Sequence, residues 1–235
     1  MPSETIILLV EDQAPDVVAK TIAKMLRPDI PGIRVDFAAT VAAGHEKFQS
    51  YEAGSLFCAV LDYMLPKEHV GQHPEGDRTL CLAIRKSRGG RTPHIIHVSG
   101  FGNDKDLARH VEDVHGEAFD ARSAISKGEG STAAVANRIR QLYFEDMFSQ
   151  RLAELFPEES ISAGIEGGSA RHGMLRGSMT IPLLELTLEL AANWRHLSPE
   201  FKERVKRILD VDDSAETVVV APKLPRIASE SEPDA

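Results

Sequence analysis

Four short runs in the sequence each stop at a side chain capable of chemistry. Glu11-Asp12 follow Thr5–Val10, Asp62 follows Leu56–Leu61, Ser99 follows His94–Val98, and Lys127 follows Ala124–Ser126. If these runs are strands of one sheet pointing the same way, three carboxylates, a hydroxyl and an ammonium converge on a single rim. Carboxylates packed together repel one another unless a cation compensates. A hard divalent ion with oxygen ligands does so, and Mg²⁺ takes one or two carboxylates while keeping waters for a phosphate. With a metal beside it, Asp62 can face an incoming phosphoryl group, and Lys127 and Ser99 can hold the remaining phosphoryl oxygens. The chemistry suggested is a carboxylate that accepts a phosphoryl group with metal assistance.

The elements that must position this set are legible as periodicity. Thr5–Val10 (TIILLV) is continuous, apolar and β-branched, which reads as a strand buried on both faces of a parallel sheet. Ala14–Arg27 carries Val17, Val18, Ile22, Met25 and Leu26 at helical spacing, and Pro28 ends it. Ile33–Phe37 reads as the second strand, Val41–Tyr51 as a helix with Phe48 inward, and Leu56–Leu61 as the third strand. Thr79–Ser87 is helical and closed by Gly89-Gly90. His94–Val98 is the fourth strand, and Asp104–His115 a helix carrying Leu107, Val111 and Val114. A short fifth strand, Ala124–Ser126, precedes a long helix from about Ser131, a good N-cap. Five βα repeats predict an α/β fold: a doubly wound five-stranded parallel sheet with helices on both faces. Chemistry in such sheets sits at the carboxyl ends of the strands, near the point where the strand order reverses.

The segments LLVEDQ, VLDYMLP, HVSG and ISKG, in this order, resemble the receiver domain of two-component response regulators over about residues 4–145. The resemblance implies a flavodoxin-like fold and phosphorylation of Asp62 by the phosphohistidine of a histidine kinase or phosphotransfer protein. It implies Mg²⁺ held by Asp12, Asp62 and the backbone carbonyl of Met64, with Glu11 acting through water. It also implies that Lys127 contacts the phosphoryl group and that the Ser99 hydroxyl moves toward it. Several positions depart from the family pattern. Gly128 stands where a proline is usual, which leaves the loop after the fifth strand less fixed. Ala124 stands where an aromatic switch residue is usual. The Pro66–Asp77 loop and the stretch between Ser99 and Lys127 are both extended.

Other candidates have plainer readings. His69 and His73, with Glu68, Glu75 and Asp77, read as a solvated loop rather than a metal site. His94 and His97 lie at opposite parity on one strand, so they cannot face one ligand and read as packing residues. Cys58 and Cys81 read as core thiols.

Beyond the fifth strand the pattern changes. Val135, Ile139, Leu142, Phe148, Leu152 and Leu155 extend an apolar stripe past the reach of the sheet. That stripe needs a partner, either a second helix of this chain or a second protomer. Glu158–Gly168 reads as a hinge. Thr180–His196 and the helix started by Ser198-Pro199-Glu200 read as a helical hairpin. His172, in ARHGMLRGS, is faintly similar to phospho-accepting histidines. However, its spacing to Arg176 is one residue longer than usual in such patterns, and Gly173 and Gly177 weaken a helix there. The expected organisation is a receiver domain over residues 1–145, a helical extension or small helical domain over 146–211, and an acidic tail over 212–235. That tail is expected to be mostly disordered, with Val218–Val220 as a short strand or docking segment.

The chain has 235 residues, of which 42% are hydrophobic and 27% charged, enough for one or two domains with a core. Its net charge of −9 disfavours nonspecific nucleic-acid binding. From Glu145 onward, 17 acidic residues face 10 Lys and Arg, which argues against DNA as an output ligand. Two cysteines, no basic stretch ahead of the first apolar run and no bilayer-length apolar segment suggest a cytoplasmic protein without a signal peptide or membrane span. The expectation is a phosphorylation-controlled signalling protein, not an enzyme, that signals through a C-terminal homodimerising or protein-binding module. Two alternatives are a phosphotransfer protein using His172 and a degenerate receiver serving as a scaffold.

Overall fold

A computed structural model describes residues 4–63, 65, 76–86, 92–100, 124–155 and 180–209. Five strands form one sheet: β1 (Thr5–Val10), β2 (Ile33–Ala38), β3 (Leu56–Asp62), β4 (His94–Ser99) and β5 (Ala124–Ser126). Their order is β2-β1-β3-β4-β5 and every pairing is parallel. The chain therefore steps from β1 to β2 in one direction and then to β3 on the other side of β1. That reversal opens a crevice beyond the carboxyl ends of β1 and β3.

The described helices are α1 (Pro15–Leu26), α2 (Val41–Ser50), α3 (Gly76–Lys86), α4 (Ser131–Leu155), α5 (Thr180–Asn193) and α6 (Pro199–Leu209). A 3₁₀ turn, Trp194–His196, joins α5 to α6. Strand parity sorts the core into two layers. Ile7 and Leu9 of β1 pack with Ile22 and Leu26 of α1 and Val135 and Ile139 of α4. Ile6, Leu8 and Val10 pack on the other side with Val41 of α2 and Leu80 and Ile84 of α3. Both faces of β1 and β3 are thus covered, and every residue of both strands is buried. This is why their sequences are continuously apolar rather than alternating. At Gly44 the packing is tight: a Cβ would meet the Leu80 side chain at 3.0 Å and the Val10 side chain at 3.1 Å, and those side chains would have to give way.

Three strands run one residue farther than the sequence expectation, and one helix starts earlier. β2 continues to Ala38, and β3 and β4 take in Asp62 and Ser99. α3 starts at Gly76, three residues before Thr79. The consequence for chemistry is that Asp62 and Ser99 are held in the hydrogen-bonded ladder rather than on loops. The helix expected over Asp104–His115, the Gly89-Gly90 stop, the Glu158–Gly168 hinge, His172 and the tail from Asp212 lie outside the described residues.

α4 spans 25 residues, a rod about 37 Å long. Its first half closes the core over the sheet. Farther along, Phe144, Phe148 and Leu152 bury against Leu186, Leu190, Leu197, Phe201 and Val205 of the α5–α6 hairpin. The apolar stripe that required a partner thus finds it within its own chain. Ser198 caps α6 by accepting a hydrogen bond from the Phe201 amide at 3.1 Å. The Ser198 amide in turn donates to Glu145 Oε1 of α4 at 2.7 Å. Arg151 of α4 pairs with Glu189 of α5.

Candidate functional site

The backbone builds the rim before any side chain does. The Glu11 amide donates to the Ala38 carbonyl at 3.0 Å, and the Tyr63 amide to the Val98 carbonyl at 3.0 Å. The Lys127 amide donates to the Ser99 carbonyl at 2.6 Å. Each ladder therefore runs one residue past its strand and fixes where Glu11, Asp62, Ser99 and Lys127 begin. In register, Asp62 lies opposite Val98, and Ser99 lies opposite Ser126.

Side chains then converge. Lys127 Nζ donates to Glu11 Oε1 at 2.9 Å and to Asp62 Oδ2 at 2.6 Å. The Gln13 amide donates to Glu11 Oε1 at 3.1 Å. Oxygen atoms of Glu11, Asp12 and Asp62 lie within 4.8 Å of one another. Asp62 is 3% exposed and Glu11 7%, so their charges interact through a medium that screens them much less than water does. The loop entering α1 bends sharply to allow this. Ala14 takes a left-handed backbone with φ 47°, costly for a residue with a Cβ, and Pro15 begins the helix.

Electrostatics show the competition at the rim. Burial raises the pKa of Glu11 above the ordinary carboxylate value; the hydrogen bond from Lys127 opposes this, and the nearby Asp62 charge adds to it. Burial also pushes the Lys127 pKa down, but its hydrogen bonds to Asp62 and Glu11, and their charges, outweigh that and leave it raised. Lys127 is therefore a fixed cation. Among the described residues, Lys127 is hydrogen-bonded to two of the three clustered carboxylates. The donor set is all oxygen, which suits a hard divalent cation and not a soft one. The residues present fit Mg²⁺, with Glu11, Asp12 and Asp62 to hold it.

The structure brings together Glu11, Asp12, Asp62 and Lys127, four of the residues singled out from sequence. Ser99 sits at the end of β4, fully buried, with its backbone bonded to Lys127. Met64 lies outside the described residues, as do His69, His73 and His172. Cys58 and Cys81 are buried thiols in separate core layers, as expected of packing residues. His97 is fully buried, with its Nε2 3.9 Å from Cys81 Sγ.

Sequence reasoning missed the anchors of α4. His94 Nε2 donates to Asp146 Oδ2 at 2.7 Å, besides packing edge-on against Phe57. Arg140 donates to Asp29 Oδ2 at 2.7 Å and to the Met25 carbonyl at 2.8 Å. Their partners lie 52 to 115 positions away, and no local pattern marks such pairs.

No protein-family model matches the chain, and no curated protein does. Among solved structures it is similar to the phosphorylated cyanobacterial phytochrome response regulator RcpA. The identity is 18%, over 58% of this chain and 89% of that one, with a TM-score of 0.42. The bacteriophytochrome response regulator AtBRR gives 17% identity over 60% and 95%, also at 0.42. The Salmonella typhimurium response regulator RcsB gives 12% over 80% and 93%, at 0.43. In the order of its strands and in their uniformly parallel pairing, the N-terminal part of the chain has a flavodoxin-like fold.

Proposed function

We propose that this protein is a two-component response regulator whose Asp62 carboxylate accepts a phosphoryl group from the phosphohistidine of a histidine kinase or phosphotransfer protein. The observation that carries this reading is the clustering of Glu11, Asp12 and Asp62 around Lys127 at the reversal point of the sheet. A carboxylate oxygen of Asp62 forms a bond to phosphorus as the bond from phosphorus to the donor imidazole nitrogen breaks. The nitrogen keeps the electron pair, and the imidazole, carrying a proton on its other ring nitrogen, leaves as the neutral side chain. Mg²⁺, when bound by Glu11, Asp12 and Asp62, supplies positive charge beside the phosphoryl oxygens.

The remaining work falls to the chain itself. Lys127 holds the Asp62 carboxylate in place before transfer and afterwards meets the added negative charge. Glu11 keeps hold of the same ammonium, so Lys127 can shift toward a phosphoryl oxygen without leaving the rim. Ser99, whose carbonyl is already tied to Lys127, supplies a hydroxyl to the same charge. α4 starts four residues after Lys127 and ends in the hairpin core, so a displacement at the rim reaches the hairpin along one continuous helix. Output through the α5–α6 hairpin follows from this path.

The test is labelling with acetyl phosphate. The expected result is one phosphoryl group per chain, dependent on Mg²⁺, acid-stable relative to phosphohistidine and absent in Asp62→Asn. Labelling that persists in Asp62→Asn and is lost in His172→Ala would favour the phosphotransfer alternative. Absence of any labelling of the wild type would favour a scaffold.

A further inference from the structure

The two helices of the hairpin present opposite kinds of surface. Beyond Pro199, the exposed positions of α6 are Glu200, Glu203 and Arg207, all charged, as expected of a helix with one apolar face. α5 is apolar on two sides. Leu186 and Leu190 are buried in the core shared with α4 and α6. On the opposite side of the helix, Leu188 is 49% exposed. Ala191 and Ala192, three and four positions farther on, are exposed with it. In the sequence the same spacing runs back through Leu184 and Ile181. One exposed leucine needs no explanation. A stripe at helical spacing does, because a helix that is apolar all round is ordinarily buried all round.

The charges at its ends point to what covers it. Glu185 precedes the stripe and Arg195, in the turn that continues α5, follows it; both are exposed. They stand five positions to either side of residue 190. An antiparallel, two-fold contact centred there sets Glu185 beside Arg195 of a second copy, and does so twice. The same centring sets Leu188 opposite Ala192 of the second copy, a large side chain against a small one. Such symmetry is what a contact between identical faces requires, because each residue that meets another is met by it in return. A parallel pairing would instead place like charges together. The stripe on α4 cannot serve in its place, since it is already covered within the chain.

We infer that the outer face of α5 is a homodimer interface, in which two copies of the helix pack antiparallel about a two-fold axis near residue 190. The apolar stripe supplies the affinity, and the Glu185–Arg195 pairs fix the direction. α5 is a rod of 14 residues, about 21 Å long. A contact along it alone is at the small end of stable interfaces, so the dimer forms in the micromolar range. This pairing does not depend on whether Asp62 accepts a phosphoryl group.

The experiment is sedimentation equilibrium of the full chain at low salt, from about 1 to about 200 μM, without metal or phosphodonor. The wild type should pass from monomer to dimer over that range. Leu188→Lys should stay monomeric at the highest concentration, with an unchanged circular dichroism spectrum because the side chain it replaces is exposed. Glu185→Arg and Arg195→Glu should each weaken the dimer about tenfold, since each sets like charges face to face twice. The double variant, in which the charges are exchanged, should recover the wild-type affinity to within about threefold. A wild type that is monomeric throughout would overturn the inference, as would coverage of the stripe by the chain's own tail or by a foreign protein, both of which leave the chain monomeric here. Association of Leu188→Lys like the wild type would also overturn it, and so would a double variant that dimerises no better than the single ones.

Discussion

At one end of α4 the chain gathers Glu11, Asp12, Asp62 and Lys127; beyond its midpoint it gathers Phe144, Phe148 and Leu152 against Leu186, Leu190 and Phe201. The first group is held together against its own chemistry. Three carboxylates approach one another because the paired ladders of β1 and β3 set their backbones side by side. The second is held together by its chemistry, since burying large apolar side chains is favourable wherever they meet. Phe144 stacks on Phe148 at 6.2 Å, and the His196 ring stacks on Phe144 at 5.7 Å. A site that gathers like charges needs a rigid scaffold that tolerates repulsion, whereas a core of large apolar side chains holds itself together.

The sharpest way to break the comparison is to empty the second core. Phe148 is fully buried, and Phe148→Ala should cost about 3–5 kcal/mol in urea unfolding. Acetyl phosphate labelling of the folded variant should remain near wild type, because the rim does not use that core. A parallel loss of labelling would mean that the hairpin helps to shape the rim.

A smaller effect is expected from discharging the rim. Lys127→Met keeps most of the apolar stem and removes the cation, leaving Glu11 and Asp62 buried without it. Stability without divalent metal should fall by about 2 kcal/mol, below the full cost of breaking a buried pair because Lys127 is partly exposed. Added Mg²⁺ should recover much of that loss by binding the folded state. Unchanged stability in Lys127→Met would show that the carboxylates tolerate one another without a cation.

The smallest expected effect is on pH dependence at the hairpin. His196 has its pKa lowered by burial and then by the Arg140 and Arg195 charges, with Asp29 opposing. It accepts a hydrogen bond from Arg195 Nε at 3.1 Å through Nε2, as a neutral ring does. The unfolded chain therefore takes up this proton at higher pH than the folded one. The contribution is present above pH 6.5 and is lost as pH falls below it. Thermal melts at pH 7.5 and 5.5 should differ more for the wild type than for His196→Gln; equal differences would remove His196 from the account.

Much of this could be read locally. The runs TIILLV and LFCAVL announced strands covered on both faces, and the polar residues that end the runs announced a rim. Ser198-Pro199-Glu200 announced the start of α6, because caps depend on neighbours in sequence. The α4 stripe showed as clearly, but its partner did not. Periodicity tells which face is apolar and says nothing of what covers it, so a second protomer and a second helix looked alike. His94 read as a packing residue, because a hydrogen bond to Asp146 leaves no trace along the chain.

The amino-acid order alone set the parallel sheet, the side on which charge would collect, and the residue types available there, since these depend on strand period and on which residue follows each strand. Folding in three dimensions decided that Lys127 bridges Glu11 and Asp62, that the hairpin closes over α4, and that the Leu188 side of α5 stays exposed. Lys127 and Glu11 are 116 positions apart. Contacts at that range are fixed by how whole elements pack, and packing depends on the fit of many side chains at once rather than on any local run of residues.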